Sequence, residues 1–239
     1  VFHLAAQPGI SSDTALEEYV DNNIYATQNL LEAILKYNPD VKSFVNIATS
    51  SVYGIEATVD ETEPAKPVSF YGVTKLAGEQ LALGLQRTGK LNTCSVRLYS
   101  VYGPRERPEK LYTKLIENLY YDKPFPLFEG SLKHERSFTY VGDIVEGLAA
   151  IIGKEAKVNG EIINLGTDEV NTTQEGIHAV EVIMNKQLII DNKPPRKGDQ
   201  QRTAAVIDKA KTLLGYEPKT TLKQGLQKQV DWYLEKFTK

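Results

Sequence analysis

The sequence predicts an α/β fold in which a parallel sheet is flanked by helices. Three observations support this class: short apolar runs typical of buried strands, longer segments with apolar residues at helical spacing, and a regular alternation between the two. Strands that alternate with long helices form right-handed βαβ units, in which the strands run parallel. With 239 residues, 41% of them hydrophobic, the chain can bury a substantial core.

The first half of the chain carries the clearest alternation. Residues 14–37 place apolar side chains at helical spacing, and Pro39 ends that helix. A second helix is closed by Thr88 and Gly89. In order, the sequence predicts a strand at 1–6, a helix at 14–37, a strand at 43–48, a loop at 55–68, a helix at 69–87 and a strand at 92–98.

After Gly103 and Pro104 the segments shorten, which predicts a boundary between a sheet domain at 1–103 and a smaller α/β substrate-binding lobe at 104–239. Some elements of this lobe are expected to return to the sheet. The predicted helices are 111–121, 142–153, 172–185, 206–214 and 222–237, and the predicted strands are 124–128, 161–166 and 188–191.

Composition limits the partners and the compartment. A net charge of −3 gives no reason to expect nucleic acid or an acidic membrane surface as a partner. No apolar stretch approaches membrane-spanning length. The single cysteine, Cys94, excludes an internal disulfide framework and fits a reducing compartment, so a cytoplasmic location is expected. No metal site is expected.

Thr49, Tyr71 and Lys75 are the candidate catalytic residues. Tyr71 and Lys75 lie four residues apart in a predicted helix, so their side chains share one face. Thr49 lies at the carboxyl end of a predicted strand, where open α/β sheets bind ligands. A nearby ammonium lowers the pKa of a phenol and makes it a better base. Together these groups can move a proton and a hydride between an alcohol and a nicotinamide; the alternative is a solvated helix with a chance Tyr-x-x-x-Lys.

Six ordered motifs give the chain a family resemblance. It resembles the extended short-chain dehydrogenases, which have a Rossmann-like sheet, and within them the NAD-dependent nucleotide-sugar epimerases. The motifs are His3-Leu4-Ala5-Ala6-Gln7, the Asn22-Asn23 pair with residues 26–33, the trio of Thr49, Tyr71 and Lys75, the strand and turn at 97–104, the segment 136–143, and Arg196-x-Gly198-Asp199.

The resemblance implies an NAD-dependent epimerisation at C4 of a nucleotide-diphospho-sugar, with a UDP-sugar expected, through a 4-keto intermediate. Tyr71 would take the proton of the 4-hydroxyl with help from Thr49. Lys75 would keep Tyr71 acidic and bind the nicotinamide ribose. The resemblance places the remaining cofactor contacts at Leu4, Ala5, Ala6 and Asn22.

The resemblance also assigns substrate contacts. Arg136 would grip the diphosphate, and Arg196 and Asp199 would hold the nucleotide; guanidinium groups suit phosphates, although surface arginines are usually solvated. Arg107, with Ser100 seven residues earlier, has the spacing of the branch that epimerises UDP-glucuronate, where this pair faces the sugar carboxylate. Two further residues receive structural interpretations: Asp143 as a helix cap and His3 as a packed histidine.

Two departures from the family pattern affect function. The family begins with a strand, a glycine-rich turn and a helix that bind the cofactor pyrophosphate, and no such glycine cluster exists in this sequence. The front of the domain is therefore expected to be missing, and the chain is expected to bind NAD poorly. Dehydratases place Asp-Glu after the catalytic threonine, whereas Ser50 and Ser51 stand here, which disfavours dehydration.

Other functions stay open at this stage. The chain could decarboxylate, reduce or dehydrate a nucleotide sugar in another NAD-dependent reaction. It could also be a non-catalytic fragment that keeps the sugar lobe, or a regulatory dinucleotide sensor, although a sensor does not need Thr49, Tyr71 and Lys75. The family pairs through its two long helices, here 14–37 and 69–87, so a homodimer is expected.

Overall fold

The computed structural model describes residues 1–9, 14–195 and 200–237. Their strands are β1 (Phe2–His3), β2 (Phe44–Thr49), β3 (Glu56–Ala57), β4 (Thr93–Leu98), β5 (Ser100–Tyr102), β6 (Phe125–Phe128), β7 (Glu135–Arg136), β8 (Phe138–Tyr140), β9 (Ile162–Leu165), β10 (Asn171–Thr172), β11 (Ile190–Lys193) and β12 (Arg202–Thr203). Their α-helices are α1 (Leu16–Val20), α2 (Ala26–Tyr37), α3 (Phe70–Arg87), α4 (Leu111–Tyr120), α5 (Val141–Ala149), α6 (Glu155–Val158), α7 (Thr173–Met184), α8 (Asp208–Leu214) and α9 (Leu222–Phe237).

A four-stranded parallel sheet, in the order β1-β2-β4-β9, organises the first half of the chain. Every residue of β2 is buried, because helices and loops cover both faces of a parallel sheet. Strand β9 comes from the second half of the chain and pairs with β4. The predicted fold class, a Rossmann-like parallel sheet flanked by helices, is confirmed.

The first strand is shorter than predicted. The expected strand 1–6 was wrong beyond His3, because only Phe2 and His3 pair with β2. The backbone then leaves the sheet. The Asn23 side chain accepts a hydrogen bond from the backbone amide of Gln7 at 2.8 Å and donates one to the backbone carbonyl of Gln7 at 3.2 Å. Residues 4–9 therefore form a loop over the carboxyl ends of the strands, which we call the strand-end loop.

A π-helical segment, Asp21–Tyr25, joins α1 to α2 within the single helix that the spacing predicted. Such segments insert one residue per turn and are frequent at functional sites. Apolar periodicity cannot distinguish a π turn from an α turn, so the sequence predicted only a continuous helix. The segment carries both Asn22 and Asn23.

Two large hydrophobic cores and one smaller cluster lie among the described residues, and the smaller cluster packs α2 and α3 beside β2. The first surrounds the parallel sheet and takes in Ile144, Leu165 and Tyr216 from the second half of the chain. The second lies among α4, α7 and α9 and contains fully buried Tyr112 and Leu226. A domain boundary at residue 103 stays a prediction, because the second half contributes to both cores.

Asp143 does not cap the helix that follows it, so that interpretation was wrong. Helix α5 starts at Val141, which places Asp143 inside the first turn. Its carboxylate accepts hydrogen bonds from the Thr220 amide at 3.1 Å and the Thr220 hydroxyl at 3.0 Å. Asp143 therefore ties α5 to the segment that leads into α9.

Helix α3 approaches the end of β2 very closely. Ser69 caps its first turn by accepting a hydrogen bond from the Gly72 amide at 3.1 Å. A Cβ atom on Gly72 would lie 2.7 Å from the Ser51 carbonyl oxygen, so only glycine fits at this contact. The chain between β2 and α3 thereby brings the first turn of α3 against Thr49 and Ser51.

Among the described residues, no helix has both the length and the apolar character needed to cross a bilayer.

Replacing Gly72 with alanine tests this close approach. We expect Gly72→Ala to lower the free energy of unfolding by about 1–3 kcal/mol, because overpacking forces backbone apart. Gly84→Ala is the matched control, because Gly84 lies in the same helix with nothing within 4 Å of its Cβ position. The control should stabilise the protein by about 0.5–1 kcal/mol through helix propensity. Urea unfolding measures both, and equal gains for the two variants would refute the tight contact.

Candidate active site

Thr49 and Tyr71 meet at the carboxyl edge of the sheet. Thr49 ends β2, and its hydroxyl accepts a hydrogen bond from the Ser51 amide at 3.2 Å. The same hydroxyl lies 3.3 Å from the Ser51 hydroxyl. The Tyr71 side chain, in the first turn of α3, lies close enough to Thr49 for that side chain to lower the pKa of the phenol. A hydroxyl and a phenol therefore face one point beside the strand-end loop.

Asn23 holds the strand-end loop against α3, and sequence reasoning missed it. Besides its bonds to Gln7, its amide donates to the Thr74 hydroxyl at 3.0 Å. A Cβ on Gly78 would lie 2.8 Å from the Asn23 carbonyl oxygen, so the π-helical segment and α3 pack backbone to backbone. The four-residue spacing of buried Tyr19, Asn23 and Thr27 was the available sequence signal.

The predicted cofactor contacts lie around an open loop. Leu4 and Ala5 are exposed, Ala6 is partly buried, and all three follow β1 at the carboxyl edge of the sheet. Asn22 is exposed, and its amide donates to the Glu18 carbonyl at 2.9 Å. These cofactor roles stay predictions.

Lys75 is buried one helical turn beyond Tyr71. Burial lowers its pKa to about 8, and the charge of Glu79 opposes that shift. Its charge also contributes to the lowered pKa of His3, so its ammonium lies near the end of β1. Among the described residues, the Lys75 ammonium has no hydrogen-bond acceptor.

His3 is packed as expected, with its ring nitrogen 2.9 Å from the Thr27 hydroxyl.

Burial dominates the electrostatics of Tyr71. It raises the pKa of the phenol, while the Thr49 side chain and the positive charge of Arg107 act in the opposite direction. The expected role of Lys75 in keeping Tyr71 acidic stays a prediction.

A buried ion pair lies beneath Lys75. The Glu79 carboxylate accepts two hydrogen bonds from Arg97, at 2.6 and 3.0 Å, and a third from Ser95 at 3.0 Å. Both charged residues are at most 3% exposed. The Arg97 guanidinium stacks on the Tyr53 ring at 4.8 Å, and the Tyr53 hydroxyl donates to Asn164 at 2.8 Å. The pair fixes α3 to β4 and supports the helix that carries the catalytic candidates.

The predicted sugar contacts come from the segment after β4. Ser100 is partly buried at the start of β5, and Arg107 is exposed in the loop that follows. The Arg107 guanidinium reaches the strand-end loop, because a Cβ on Gly9 would lie 3.3 Å from its Nη2 atom. In the described part of the chain, no hydrogen bond joins Ser100 to Arg107.

Of the predicted phosphate and nucleotide contacts, Arg136 lies in the described part of the chain, at the end of β7. The guanidinium of Arg136 donates to the carbonyls of Glu135 and Gln200. Its neighbour His134 lines a cavity of about 370 Å³ together with Phe128, Glu129, Gly130, Lys133, Pro195 and Gln201. Lys133, a cation, and His134 are candidate contacts that the sequence did not single out. Arg196 and Asp199 lie outside the described residues.

Burial of Lys75 predicts a pH-dependent gain in stability on its removal. Below pH 8 the folded protein holds a buried ammonium, so Lys75→Met should raise the free energy of unfolding by about 1–3 kcal/mol. From pH 8 to about 10.4, the ordinary lysine pKa, the folded state has lost this proton and the unfolded state retains it. The wild type therefore gains stability with pH relative to the variant, and the difference shrinks.

Denaturant unfolding at pH 7 and pH 10 measures this difference. Lys90→Met is the control, since Lys90 is exposed just after α3. A gain for Lys75→Met that does not change with pH, or that Lys90→Met reproduces, would contradict a depressed Lys75 pKa.

Comparison with known proteins identifies relatives over most of the chain. A model of the NAD dependent epimerase/dehydratase family matches residues 1–166. The chain is 36% identical over 233 residues to an uncharacterised UDP-glucose epimerase, YtcB, of Bacillus subtilis (strain 168), covering 96% of this chain and 72% of that protein. It is 35% identical over 263 residues to UDP-glucuronate 4-epimerase 4 of Arabidopsis thaliana, covering all of this chain and 58% of the plant protein.

The fold also matches a solved structure. UDP-glucuronic acid 4-epimerase from Bacillus cereus, in complex with UDP-glucuronic acid and NAD, aligns with a TM-score of 0.91 at 36% identity. The alignment covers 98% of this chain and 74% of that one. The motif-based resemblance is thereby confirmed: the chain belongs to the NAD dependent epimerase/dehydratase family, within the extended short-chain dehydrogenases.

Proposed function

We propose that the protein epimerises a UDP-linked sugar at C4, with NAD as its cofactor. The observation that carries the proposal is the proximity of the Thr49 and Tyr71 side chains at the carboxyl edge of the sheet, with a buried Lys75 one helical turn further on. Relatives whose names or bound ligands include UDP-sugars, NAD and 4-epimerase activity support it.

Tyr71 is the proton acceptor in the proposed mechanism. Its phenol would take the proton of the sugar 4-hydroxyl while Thr49 orients that hydroxyl, since threonine can donate and accept hydrogen bonds at once. A buried phenol has a raised pKa, so the base requires nearby cations and donors. Thr49 and Arg107 supply two of these influences. The resulting 4-keto sugar would recover its proton from the same phenol on reduction.

The residues present fit NAD. The buried ammonium of Lys75, which has no acceptor among the described residues, suits the hydroxyls of a ribose. The strand-end loop offers Leu4, Ala5 and Ala6 as a small surface against which a flat ring could pack, and Asn22 is exposed. When bound, NAD would accept the hydride from the sugar and return it.

The substrate would extend from the strand-end loop to the 370 Å³ cavity. Arg136, with Arg196 and Asp199 outside the described residues, would hold the UDP diphosphate and nucleotide near the 370 Å³ cavity. Arg107 and Ser100 would face the sugar, and a guanidinium there favours a sugar that carries a carboxylate. We therefore favour a UDP-uronate over a neutral UDP-hexose.

Dehydration has little support from this site. Ser50 and Ser51 follow Thr49, and their hydroxyls cannot serve as the acid and base that water loss needs. Ser51 is moreover bonded to Thr49 through its amide. No observed contact favours decarboxylation or simple reduction over epimerisation.

The protein is also proposed to act as a homodimer through its long helices. Tyr25, Phe70 and Val73 are about half exposed on the π-helical segment and α3. Large exposed apolar side chains on neighbouring helices often mark an interface. The cytoplasmic location expected from the single cysteine stays a prediction.

Product analysis tests the proposed reaction. The 239-residue protein is incubated with NAD and either UDP-glucuronate or UDP-glucose. We expect ion-exchange chromatography to separate a new UDP-sugar, and mass spectrometry to show that its mass equals that of the substrate. A product lighter by carbon dioxide, or by water, would instead indicate decarboxylation or dehydration and reject epimerisation.

Replacing Tyr71 with phenylalanine tests the assigned base. Turnover should fall by at least about 10²-fold, the usual contribution of general acid–base catalysis. Sugar-nucleotide affinity should stay within about twofold, because the lost proton transfer acts on the transition state. Calorimetric binding measured beside the rate separates the two effects. A variant that keeps most of its turnover would show that another group accepts the proton.

A further inference from the structure

Arg107 lies in a loop that connects the two halves of the molecule. Residues 103–110, which we call the arginine loop, join β5 to α4. The Arg107 guanidinium reaches the strand-end loop at Gly9. The Gly9 carbonyl accepts a hydrogen bond from Tyr19 at 2.8 Å, and the Tyr19 ring lies 6.3 Å from that of Tyr71. Arg107 is therefore held on the side of the catalytic candidates although its side chain is exposed.

The preceding residue, Glu106, points the opposite way. Its Oε2 atom accepts hydrogen bonds from the Thr113 amide at 2.9 Å, the Thr113 hydroxyl at 3.1 Å and the Gln229 amide group at 2.8 Å. The Glu106 carbonyl oxygen also lies 3.1 Å from the Thr113 hydroxyl, whose single proton it shares with the carboxylate. One carboxylate thus ties the arginine loop to the first turn of α4 and to α9.

Gln229 supports a specific role for this tether. It is fully buried within α9, and its Oε1 atom has no partner among the described residues. Burying an amide with an unpaired oxygen costs stability, and an apolar residue would avoid that cost. The side-chain amide nitrogen of Gln229 donates hydrogen bonds to Glu106 and Thr113, which an apolar residue could not do. A polar residue is therefore kept in a hydrophobic core where it fixes a loop.

The backbone beside Glu106 is also constrained. Arg105 has a φ of 70°, in the left-handed region that costs free energy for a residue with a side chain. Such conformations persist only where surrounding contacts hold them. The Glu106 amide bonds to the Gly103 carbonyl at 3.0 Å, and the Lys110 amide bonds to the Arg107 carbonyl at 3.0 Å. The arginine loop therefore has one defined shape.

We propose that Glu106 is a positioning residue that fixes Arg107 over the sugar site and thereby sets a preference for nucleotide sugars that carry a carboxylate. The inference rests on the proposed function and names the specificity of the same site. A charged pair gains affinity only when its geometry is maintained, and misplacement of about 1 Å can remove much of the effect. Loss of the tether should therefore weaken binding of the charged sugar and leave the neutral sugar almost unchanged.

The experiment compares kcat/KM and Kd for UDP-glucuronate and UDP-glucose. Glu106→Ala removes the tether, and Glu106→Gln keeps one oxygen that can accept all three hydrogen bonds. Glu109→Ala is the matched control, because it removes the same charge from an exposed position of the same loop. Gln229→Leu breaks the tether from the other side and serves if Glu106→Ala does not fold.

The expected result is a substrate-dependent loss. Glu106→Ala should lower the ratio of kcat/KM for UDP-glucuronate over UDP-glucose about tenfold, through KM. Glu106→Gln should restore the ratio, and Glu109→Ala should leave it within about twofold. In an Arg107→Ala background, Glu106→Ala should cause no further loss of the ratio, because the tether acts through that arginine.

Other outcomes overturn the inference. Equal losses for both substrates in Glu106→Ala would show that Glu106 only stabilises the lobe. If Glu106→Ala lowers the kcat/KM ratio as much in the Arg107→Ala background as in the parent protein, Glu106 does not act through Arg107. If Arg107→Ala leaves the ratio unchanged, the preference for a carboxylate fails while epimerisation survives. If the parent protein neither binds nor converts either sugar, the proposed function fails and the inference fails with it.

Discussion

The contact between the first turn of α3 and the end of β2 is the constraint on which the site depends. Gly72 lets the helix reach the Ser51 carbonyl, and Ser69 caps that turn so that the helix can start there. Tyr71, between these two residues, then lies close to Thr49. In open α/β sheets, ligands bind at the carboxyl ends of the strands, and this packing places the Thr49 and Tyr71 side chains together at that edge.

The same arrangement carries an electrostatic cost. Lys75 is buried next to Tyr71, and its pKa is lowered to about 8 because water no longer solvates its charge. Glu79 offsets part of that cost, but its carboxylate is also shared with Arg97 and Ser95. A core of apolar residues would be more stable here. The protein nevertheless keeps three buried charged residues here, Lys75 and Glu79 on α3 and Arg97 on β4. Their retention is consistent with a site in which function takes precedence over stability.

The sequence predicted the parts of the fold that depend on periodic burial. The strand that ends at Thr49, the helix with Tyr71 and Lys75, and the strand at 161–166 follow from apolar spacing and turn residues. The sequence predicted that some later elements return to the sheet, but not that β9 is the one that pairs with β4. The end of β1 at His3 and the role of Asn23 could not be predicted. Both depend on side-chain bonds to backbone distant in sequence, which no local pattern records.

The site was predictable to a similar extent. Residue types at family spacing indicated the candidate catalytic trio, yet spacing could not show that a cation from the arginine loop acts on Tyr71. Nor could it show that neighbouring Glu106 and Arg107 point to opposite sides of their loop. These facts arise from packing between the two halves of the chain.

A crystal structure of the protein with NAD and a UDP-sugar tests the central claim most directly. The Tyr71 and Thr49 oxygens should both lie within about 2.6–3.2 Å of one sugar hydroxyl, at C4. The Lys75 ammonium should bond to the nicotinamide ribose in the same complex. A sugar whose C4 hydroxyl lies out of reach of Tyr71, or a Tyr71 ring turned away from Thr49, would contradict the proposed chemistry.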